Sequence, residues 1–486
     1  MAYRYGDDRK QVMLFPESID QYISSDHPVR AYDVFVDALD FSELDIALDE
    51  RKVGNSAYDP RLMLKLLLYG YSYGIKSSRK LEREVHNNLS FIWLMKNLKP
   101  DHKTIAEFRR HNKAALKKAF KLCARLCLKL GLIQGNVLFV DSTKIWANAG
   151  KGHQHDKKWY QKQLGKVDRR IAKLLAECDQ IDHDEAHQGS LVAMPKALRS
   201  EQHLKASIEA ALAEFERQSE CTKAGKQRQI NRVDPESRQM KSPRGSHPSY
   251  AVQSVVDDQN GLIVHVDTVN EANDSGQLAD QITGAEATLD HDCNVACADA
   301  GYANIDEIEK VESPKRTVLV PSQRQASEKP SKAFDKCRFV YDAQQDCYYC
   351  PAGQRLVFRR FQDKACRKRD YRIEAPGICR ACVHFSECTK SEQGRTVVRH
   401  VLEALKEQVE ARYEQPEMRA IYDRRKARVE HPFGYMKKVL DFRQFSLRGR
   451  NGAQAEASLL ATCFNLRRMI TLWGGVPAFI EKMASV

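Results

Sequence analysis

The sequence predicts a mixed α/β protein in which a helical N-terminal region is followed by a sheet, and in which two further segments interrupt that sheet. Three observations support this fold class. Apolar residues recur with helical spacing through residues 28–131, strand-like apolar runs begin at residue 136, and the later segments alternate between strand and helix. Such an alternation is typical of an α/β sheet with helices packed on it.

The N-terminal region is marked by a helix cap as well as by periodicity. In "DPRLMLKLLLYGYSYGI", Asp59 is placed to cap a helix that begins with Pro60. The segments "SSRKLEREVHNNLSFIWLM" and "DHKTIAEFRRHNKAALKKAFKLCARLCLKL" continue the helical pattern, with Arg and Lys on their polar faces. Short basic helices suit a DNA-binding domain of the helix-turn-helix kind, although a plain helical bundle fits equally well. We assign residues 1–130 to a helical N-terminal DNA-binding domain.

The first half of the sheet is predicted from two segments. "NVLFVDSTKIWANA" reads as a buried strand, because four apolar residues follow one another before Asp141. "SYAVQSVVDDQNGLIVHVDTV" predicts two strands joined by a turn at Asn260–Gly261, which is a good hairpin signal. A helix is predicted at "DSGQLADQITGAEATL", where Asp274 and Gln277 have the spacing of a capping box.

The second half of the sheet is predicted from shorter segments. "CNVACAD" and "RTVLVPS" are strand-like, and the short helix between them has Asn304 and Glu307 at capping positions. Two later helices are expected around residues 416–437 and 453–470. The sheet domain then comprises residues 131–150, 245–325 and 400–475.

Two segments interrupt the sheet domain. Residues 151–244 carry apolar residues at spacings of three and four on both sides of the break "HQGSLVAMPK", which predicts an inserted helical hairpin followed by basic loops. Residues 330–395 are rich in cysteine. We interpret this second segment as a zinc-binding insertion.

The charge balance favours a polyanionic partner. The chain has 78 Lys and Arg against 65 Asp and Glu, a net charge of +13, and each phosphate that such cations contact releases counterions. No apolar run is long enough to span a membrane, and "MAYRYGDDRKQVMLF" lacks the apolar core of a signal peptide. We therefore expect a cytoplasmic protein that acts on nucleic acid and not on a membrane.

Two acids follow apolar strands. Asp141 ends the first strand in this interpretation, and Asp299 ends "CNVACAD". If the two strands are parallel neighbours, both carboxylates emerge at the same edge of the sheet, where ligands of α/β proteins gather. Paired carboxylates repel unless a cation such as Mg²⁺ or Mn²⁺ neutralises them. Taken alone, an acid at a strand end is more often a helix cap or a solvated side chain.

A third acid lies on the late helix. In "YDRRKARVEHPFGYMKKVL", Lys426 and Lys437 stand four residues before and seven after Glu430, so the three share one helix face. This arrangement suits a site where metal and DNA phosphates meet, and it also suits an exposed ion pair. Pro432 and Gly434 predict a kink just after Glu430.

With these segments in order, the chain resembles the DDE transposases of bacterial insertion sequences. The resemblance is carried by "VDSTKIWANA", "ADAGYAN" and "VEHPFGYMKK", and the helical N-terminal region and the tail "LLATCFNLRRM" are similar too. It implies an RNase H-like catalytic core in which Asp141, Asp299 and Glu430 hold two divalent ions, Mg²⁺ or Mn²⁺, roughly 4 Å apart.

The late helix departs in part from the family's motif, Y-x2-R-x3-E-x6-K. Lys437 matches the last position, whereas Asp423 and Lys426 occupy the first two. Tyr422 and Arg425 lie one residue early, which leaves their roles open. The cations that we expect to contact DNA are Lys437, Lys426, Arg425, Lys144, Arg109 and Arg110.

The function implied by the resemblance is cleavage and strand transfer of an insertion sequence. Water frees a 3′-hydroxyl at the transposon end, and that hydroxyl attacks target DNA. The implied partners are the terminal inverted repeats and the target, bound by a homodimer because two ends must be brought together. The alternatives are a non-catalytic zinc-containing DNA-binding protein and an RNase H-like nuclease.

Seven of the 14 cysteines crowd into the second insertion. In a reducing compartment this favours a metal site over disulfides. "CYYC" holds Cys347 and Cys350, and "CRACVHFSEC" holds Cys379, Cys382 and Cys388. Two CxxC pairs predict a tetrahedral structural zinc site, in which Cys388 competes with Cys379 for the fourth position. A set of free thiols is the alternative.

Overall fold

The structure of the chain is a computed structural model that describes residues 18–46, 57–184, 196–218, 225, 227–242, 244–327 and 330–485. The N-terminal helices are α1 (Pro28–Asp37), α2 (Pro60–Ser72), α3 (Ser78–Asn87), α4 (Leu89–Leu94), α5 (His102–His111) and α6 (Lys113–Lys129). The predicted start of α2 is confirmed, because Asp59 accepts a 2.8 Å hydrogen bond from the backbone N–H of Arg61. This cap satisfies one of the free N–H groups of the first turn.

The middle of the chain alternates strands and helices. Its elements are β1 (Val137–Trp146), β2 (Gln154–His155), α7 (Lys157–Asp184), α8 (Lys196–Glu216), β3 (Ile230–Asn231), β4 (Arg238–Ser242), β5 (Gly245–Asp257), β6 (Ile263–Val269), α9 (Leu278–Leu289), β7 (Val295–Ala298), α10 (Ile305–Val311), β8 (Thr317–Leu319) and α11 (Gln323–Ala326). Short 3-10 turns at Lys151–His153 and Ala300–Tyr302 connect some of them.

The last third holds a second sheet and four long or medium helices. Its elements are β9 (Val340–Asp342), β10 (Cys347–Tyr349), β11 (Arg355–Phe361), β12 (Lys368–Ile373), α12 (Pro376–Arg380), β13 (Thr396–His400), α13 (Glu403–Tyr413), α14 (Pro416–Gly434), α15 (Arg450–Leu472) and α16 (Val476–Ala484).

The main sheet has the order β6–β5–β1–β7–β8, and β4 pairs with the first part of β5. β1 is antiparallel to β5 and parallel to β7, and β7 is parallel to β8. The hairpin between β5 and β6 is confirmed at the predicted turn, where Gly261 adopts a φ of +68° that favours glycine. The sequence therefore predicted the strands and the mixed character of this sheet.

β1 is longer than the strand that the sequence predicts. Its pairing with β5 continues past Asp141 as far as Trp146 opposite Ser249, so that Asp141 lies inside the strand and not at its end. The parallel pairing of β1 with β7 stops earlier, at Val140 opposite Ala298. The basic segment expected as a loop also forms a strand, β4, in its first part.

One local prediction on helices is wrong. Asp274 and Gln277 do not form a capping box: Gln277 is the N-cap residue of α9 without a side-chain bond, and Asp274 bonds Gln253 instead. α14 continues through Pro432 to Gly434, and a π-helical turn follows at Tyr435–Val439. The kink expected just after Glu430 stays a prediction, and a proline followed by a π-helical turn is a common cause of such kinks.

One hydrophobic core joins the N-terminal helices, the main sheet and the last helices, with buried residues from Ile23 to Met483. α15 lies at its centre and packs against α2, α6 and β6. Most side chains along α15 are buried. In the described part of the chain, no helix has the length and apolar character needed to cross a membrane.

Both insertions have small cores of their own. α7 and α8 pack against each other, as the predicted hairpin requires, and their buried residues are Tyr160, Val167, Ile208, Ala211, Phe215 and Ile230. Most of the predicted break between them lies outside the described residues. The cysteine-rich insertion forms an antiparallel sheet in the order β13–β12–β11–β10–β9. Its core contains six buried residues: Phe339, Tyr348, Leu356, Tyr371, Ile373 and Val397.

Candidate active site

The register of β1 and β7 places two acids side by side. The last parallel pair is Val140 with Ala298, and the next residue on each strand is Asp141 and Asp299. Neighbouring strands lie about 4.8 Å apart, and residues level with each other point to the same face of a sheet. The two carboxyl groups therefore meet at the point where β7 ends and β1 continues.

Asp141 is held by two donors. Its Oδ1 accepts a 2.7 Å hydrogen bond from the backbone N–H of Ser142, and its Oδ2 accepts one of 3.2 Å from Nη1 of Arg425 on α14. Burial raises the pKa of Asp141 to about 6. Arg425 and the Ser142 N–H oppose this rise, whereas the nearby carboxylates of Asp299 and Asp274 add to it. Part of the Asp141 population is consequently protonated near neutral pH.

Asp299 caps the 3-10 turn Ala300–Tyr302 and accepts a 2.7 Å hydrogen bond from the backbone N–H of Gly301. A Cβ placed on Gly301 would lie 2.8 Å from Asp299 Oδ1 and 3.9 Å from Asp274 Oδ2. Both carboxylates thus converge on the bare backbone of Gly301. Asp274 is an acid of this site that the sequence analysis assigned to a helix cap, and no local signal distinguishes the two roles.

A buried network supports these acids from behind. Gln253 on β5 is fully buried; its Nε2 donates a 2.7 Å hydrogen bond to Asp274 Oδ1, and its Oε1 accepts the hydroxyl proton of Tyr302. Burial, followed by the charges of Asp274, Asp141 and Asp299, raises the pKa of Tyr302 well above its ordinary value. Tyr302 therefore stays neutral and donates its proton to Gln253.

α14 packs across β1, β5 and β7, and α14 and the π-helical turn after it supply the cations of the site. Besides the bond from Arg425 to Asp141, Nζ of Lys437 donates a hydrogen bond to Oγ1 of Thr143, two residues further along β1. Burial lowers the pKa of Lys437. The Arg425 guanidinium also lies 5.4 Å from the ring centroid of Tyr422. Tyr422 and Arg425, whose roles the resemblance left open, are thus close to the acids.

Glu430 is not brought into contact with the two aspartates. Its side chain is exposed on α14. Five residues separate it from Arg425, which turns it about 140° around the helix from the residue that contacts Asp141. Lys426 is exposed on the same side as Glu430. Among the residues that the structure describes, no group of three or more His, Cys, Asp or Glu side chains is arranged to hold a metal ion.

The remaining candidates for DNA contact divide into exposed and buried residues. Arg110 is exposed, with its guanidinium 3.7 Å from Glu107, and half-buried Lys144 donates a 3.3 Å hydrogen bond to the carbonyl of Lys241. Arg109 is only 6% exposed, so its selection as a DNA contact is corrected. Its Nη1 donates instead to the hydroxyl of Tyr71 over 2.7 Å.

Arg109 belongs to an internal network that holds the N-terminal helices to α15. Its Nη1 also donates to the carbonyl of Lys76 over 2.8 Å and lies 3.8 Å from Oε1 of Glu456, which accepts the Tyr71 hydroxyl proton. Glu456 is completely buried. A buried carboxylate requires such partners, and Arg109 is therefore structural.

The five cysteines proposed as zinc ligands lie in two different places. Cys350, Cys379, Cys382 and Cys388 line one small cavity of about 30 Å³ in the cysteine-rich insertion. Cys347 is buried elsewhere, on β10, where its thiol interacts with Tyr349 and Arg355. The structure therefore gathers four of the five cysteines proposed from the sequence.

Family comparisons match two parts of the chain. Residues 17–111 match the family model described as "Transposase domain (DUF772)", and residues 349–470 match the "Transposase DDE domain". No curated protein matches the sequence. Among solved structures, the chain is similar over 94% of its length to 78% of a piggyBac transposase chain, seen by cryo-EM in a synaptic complex with hairpin DNA. With 10% sequence identity and a TM-score of 0.32, that similarity is too low to establish a common fold. The chain is thus similar to transposase families in two separate parts, and the second of these matches is to a DDE domain.

Proposed function

We propose that the protein is a DDE transposase that cuts DNA at the terminal inverted repeats of an insertion sequence and joins the freed ends to target DNA by metal-dependent phosphoryl transfer. The observation that carries the proposal is the register that sets Asp141 beside Asp299, with Arg425 on one of them. Paired carboxylates beside a cation, at the point where β7 ends, suit chemistry on phosphate.

The sheet topology supports the proposed RNase H-like core. Three antiparallel strands, β6, β5 and β1, are followed by two strands parallel to β1. In this order the two strands that carry the acids are central neighbours. The helix that carries Glu430 packs over both of them.

The residues present fit a divalent ion in their chemistry. Asp141 and Asp299 offer hard oxygen donors, and a pKa of about 6 for Asp141 indicates that the local cations do not fully balance the buried negative charge. Glu430 is the proposed third donor, and because it lies about 140° around α14 from Arg425, its approach to the pair requires α14 to shift or rotate when DNA binds. Two Mg²⁺ or Mn²⁺ ions, when bound, would activate the attacking oxygen and stabilise the leaving oxygen.

The protein's own groups orient the acids and the DNA. Arg425 fixes the Asp141 carboxylate and, with Lys437, places positive charge where negative charge develops on the phosphate oxygens. Gln253 and Tyr302 hold the Asp274 side of the site. Water first attacks phosphorus at the transposon end and releases a 3′-hydroxyl, which then attacks target DNA by the same in-line geometry. A homodimer on DNA would hold the two ends together.

The test uses labelled duplexes that carry the terminal repeats flanking the gene, incubated with target DNA and Mg²⁺ or Mn²⁺. We expect cleavage and joining by the wild type, and loss of both in Asp141→Asn, Asp299→Asn and Glu430→Gln. Asp168→Asn removes an acid that pairs with Lys205 within the helical hairpin insertion, and it is the control that we expect to keep activity.

Two results would contradict the proposal. Tight binding of the ends without cleavage in either metal would identify a non-catalytic DNA-binding protein. Hydrolysis without joining would identify an RNase H-like nuclease.

A further inference from the structure

The four clustered cysteines come from separate parts of the insertion and surround one small space. Cys350 follows β10, Cys379 lies in α12, and Cys382 and Cys388 lie in the loop after α12. The cavity that they line has a volume of about 30 Å³, room for one small ion or one water molecule. Its lining is almost entirely apolar apart from the thiols. A site with soft sulfur donors and few competing oxygens is the kind that zinc prefers.

Backbone N–H groups point at two of these sulfur atoms. The N–H of Gln354 donates to Sγ of Cys350 over 3.3 Å, and that of Arg395 donates to Sγ of Cys379 over 3.4 Å. Each donor directly follows a glycine with positive φ: Gly353 at +74° and Gly394 at +80°. Hydrogen bonds from backbone N–H groups favour the thiolate form, which is the form that binds metal.

The four thiols line the same small cavity. Four thiolates in one small space repel each other unless a cation lies between them. The described side chains do not stand at metal-ligand separations. Binding an ion therefore requires the four sulfur atoms to draw in toward the cavity.

Cys347 is excluded from this group by strand geometry. Side chains three residues apart in an extended chain point to opposite sides, so Cys347 on β10 and Cys350 just after it face different ways. The thiol of Cys347 interacts with Tyr349 and with Arg355 on the neighbouring strand. The sequence spacing CxxC is present here without the turn that would direct both sulfur atoms to one ion.

The insertion has a physical need for a cross-link. Its sheet of five short strands has a core of only six buried hydrophobic residues, against which Cys350, Cys379 and Cys388 pack. Small domains with little apolar core are commonly stabilised by a metal or by disulfides. A bound ion would tie the loop after α12 to the end of β10.

We propose that Cys350, Cys379, Cys382 and Cys388 bind one structural Zn²⁺ ion and that Cys347 is not a ligand. The ligand set is a tetrahedral site of four thiolates, closed to water and without a catalytic position. This zinc site does not include the acids of the candidate active site. A result against zinc binding would therefore leave the proposed DNA reaction untouched, and a result against that reaction would leave the zinc site untouched.

The first test measures metal bound to the purified full-length protein. We expect one zinc per chain in the wild type and in Cys347→Ser, and loss of zinc in Cys388→Ser. His384→Ala alters another side chain that lines the cavity without removing a thiol, and we expect it to keep zinc. Cobalt substitution should give sulfur-to-metal charge-transfer bands in the wild type that Cys388→Ser lacks. Zinc-free wild type, or equal loss in Cys347→Ser and Cys388→Ser, would overturn the proposal.

A second test uses only the wild type, so it does not depend on the folding of any variant. Thiol alkylation is read peptide by peptide by mass spectrometry, with zinc bound and after chelation. We expect Cys350, Cys379, Cys382 and Cys388 to be protected by zinc. The exposed Cys337 and Cys366 should react equally in both samples and serve as internal controls. Equal alkylation of the four cysteines with and without zinc would refute the site.

Discussion

Arg425 donates through Nη1 to Oδ2 of Asp141 over 3.2 Å, and this contact joins α14 to the middle of β1. Among the groups that oppose the rise in the pKa of Asp141, Arg425 has the largest effect. The charge of the carboxylate that we propose for catalysis therefore depends on a helix that is distant in sequence.

Arg425→Gln tests this dependence. Loss of the cation should raise the pKa of Asp141 further, since burial and the neighbouring acids then act without opposition. We expect the pH of half-maximal end cleavage at limiting Mg²⁺ to rise by about one unit. Arg424→Gln is the matched control, because Arg424 pairs with Asp258 and not with the site. A profile that shifts equally in both variants would argue against a specific role for Arg425.

Asp141→Asn should change the pH dependence of stability. With a folded-state pKa of about 6 against 3.8 for the free side chain, the folded chain binds more protons than the unfolded chain between about pH 4 and pH 6. The free energy of unfolding therefore falls as pH rises through that window, and the variant lacks this component. We expect metal-free Asp141→Asn to be more stable than the wild type by about 2 kcal/mol at pH 7.5.

Denaturant unfolding followed from pH 4 to pH 8 measures this difference. It should be smallest at pH 4, grow up to about pH 7 and then remain level. Asp40→Asn is a control of opposite sign, because hydrogen bonding to Ser42 lowers the pKa of Asp40 and its replacement should not stabilise the protein as pH rises. A metal-free Asp141→Asn protein that is less stable than the wild type at pH 7.5 would contradict the assigned burial of the charge.

Glu430→Gln should separate activity from stability. Because the side chain is exposed, we expect the free energy of unfolding to change by less than about 0.5 kcal/mol. Strand cleavage should nevertheless be lost, since the proposed third carboxylate is gone. Glu417→Gln, at an exposed position in the first turn of the same helix, should leave both unchanged. Retained cleavage in Glu430→Gln would move the third carboxylate elsewhere, with Asp274 next to be tested.

Arg109 and Arg110 provide a pair of neighbouring residues with opposite predictions. Arg109→Met leaves the buried Glu456 without its nearest cation, and we expect a loss of about 3 kcal/mol in the free energy of unfolding. Arg110→Ala should leave stability within about 0.5 kcal/mol. If Arg110 contacts a phosphate, its removal should weaken DNA binding similarly for all sequences and reduce the salt slope by about one. A large loss of stability in Arg110→Ala together with unchanged stability in Arg109→Met would refute the assignment of Arg109 as structural and Arg110 as exposed.

The sequence predicted those features of the fold that depend on interactions between residues close together in the chain. The cap at Asp59, the turn at Asn260–Gly261 and the strand before Asp141 all follow from a few adjacent residues, and the structure contains them. The length of β1 was missed because "DSTKIW" pairs with β5 without a continuous apolar run. The role of Asp274 was not predicted, because its hydrogen-bond partner Gln253 lies on β5, at a distance in the sequence.

The errors at Arg109 and Cys347 have the same origin. Helical periodicity placed Arg109 on a polar face, and only contact with Tyr71 and the distant Glu456 shows that this face is covered. The CxxC spacing of Cys347 and Cys350 carried no information on whether the chain there turns or runs extended. The roles of Arg109 and Cys347 are both set by residues that contact them in the folded chain, and a single sequence does not show which residues these are.

The position of α15 at the centre of the common core has a consequence for the order in which the protein can be assembled. Synthesis proceeds from the N-terminus, so the first six helices leave the ribosome more than three hundred residues before residues 450–472 are made. Until then, α2 and α6 lack the partner on which they pack. A nascent or truncated chain therefore lacks the finished packing of its N-terminal helices. If these helices bind DNA, as the sequence predicts, DNA binding becomes available only to molecules that already contain the two aspartates and Glu430.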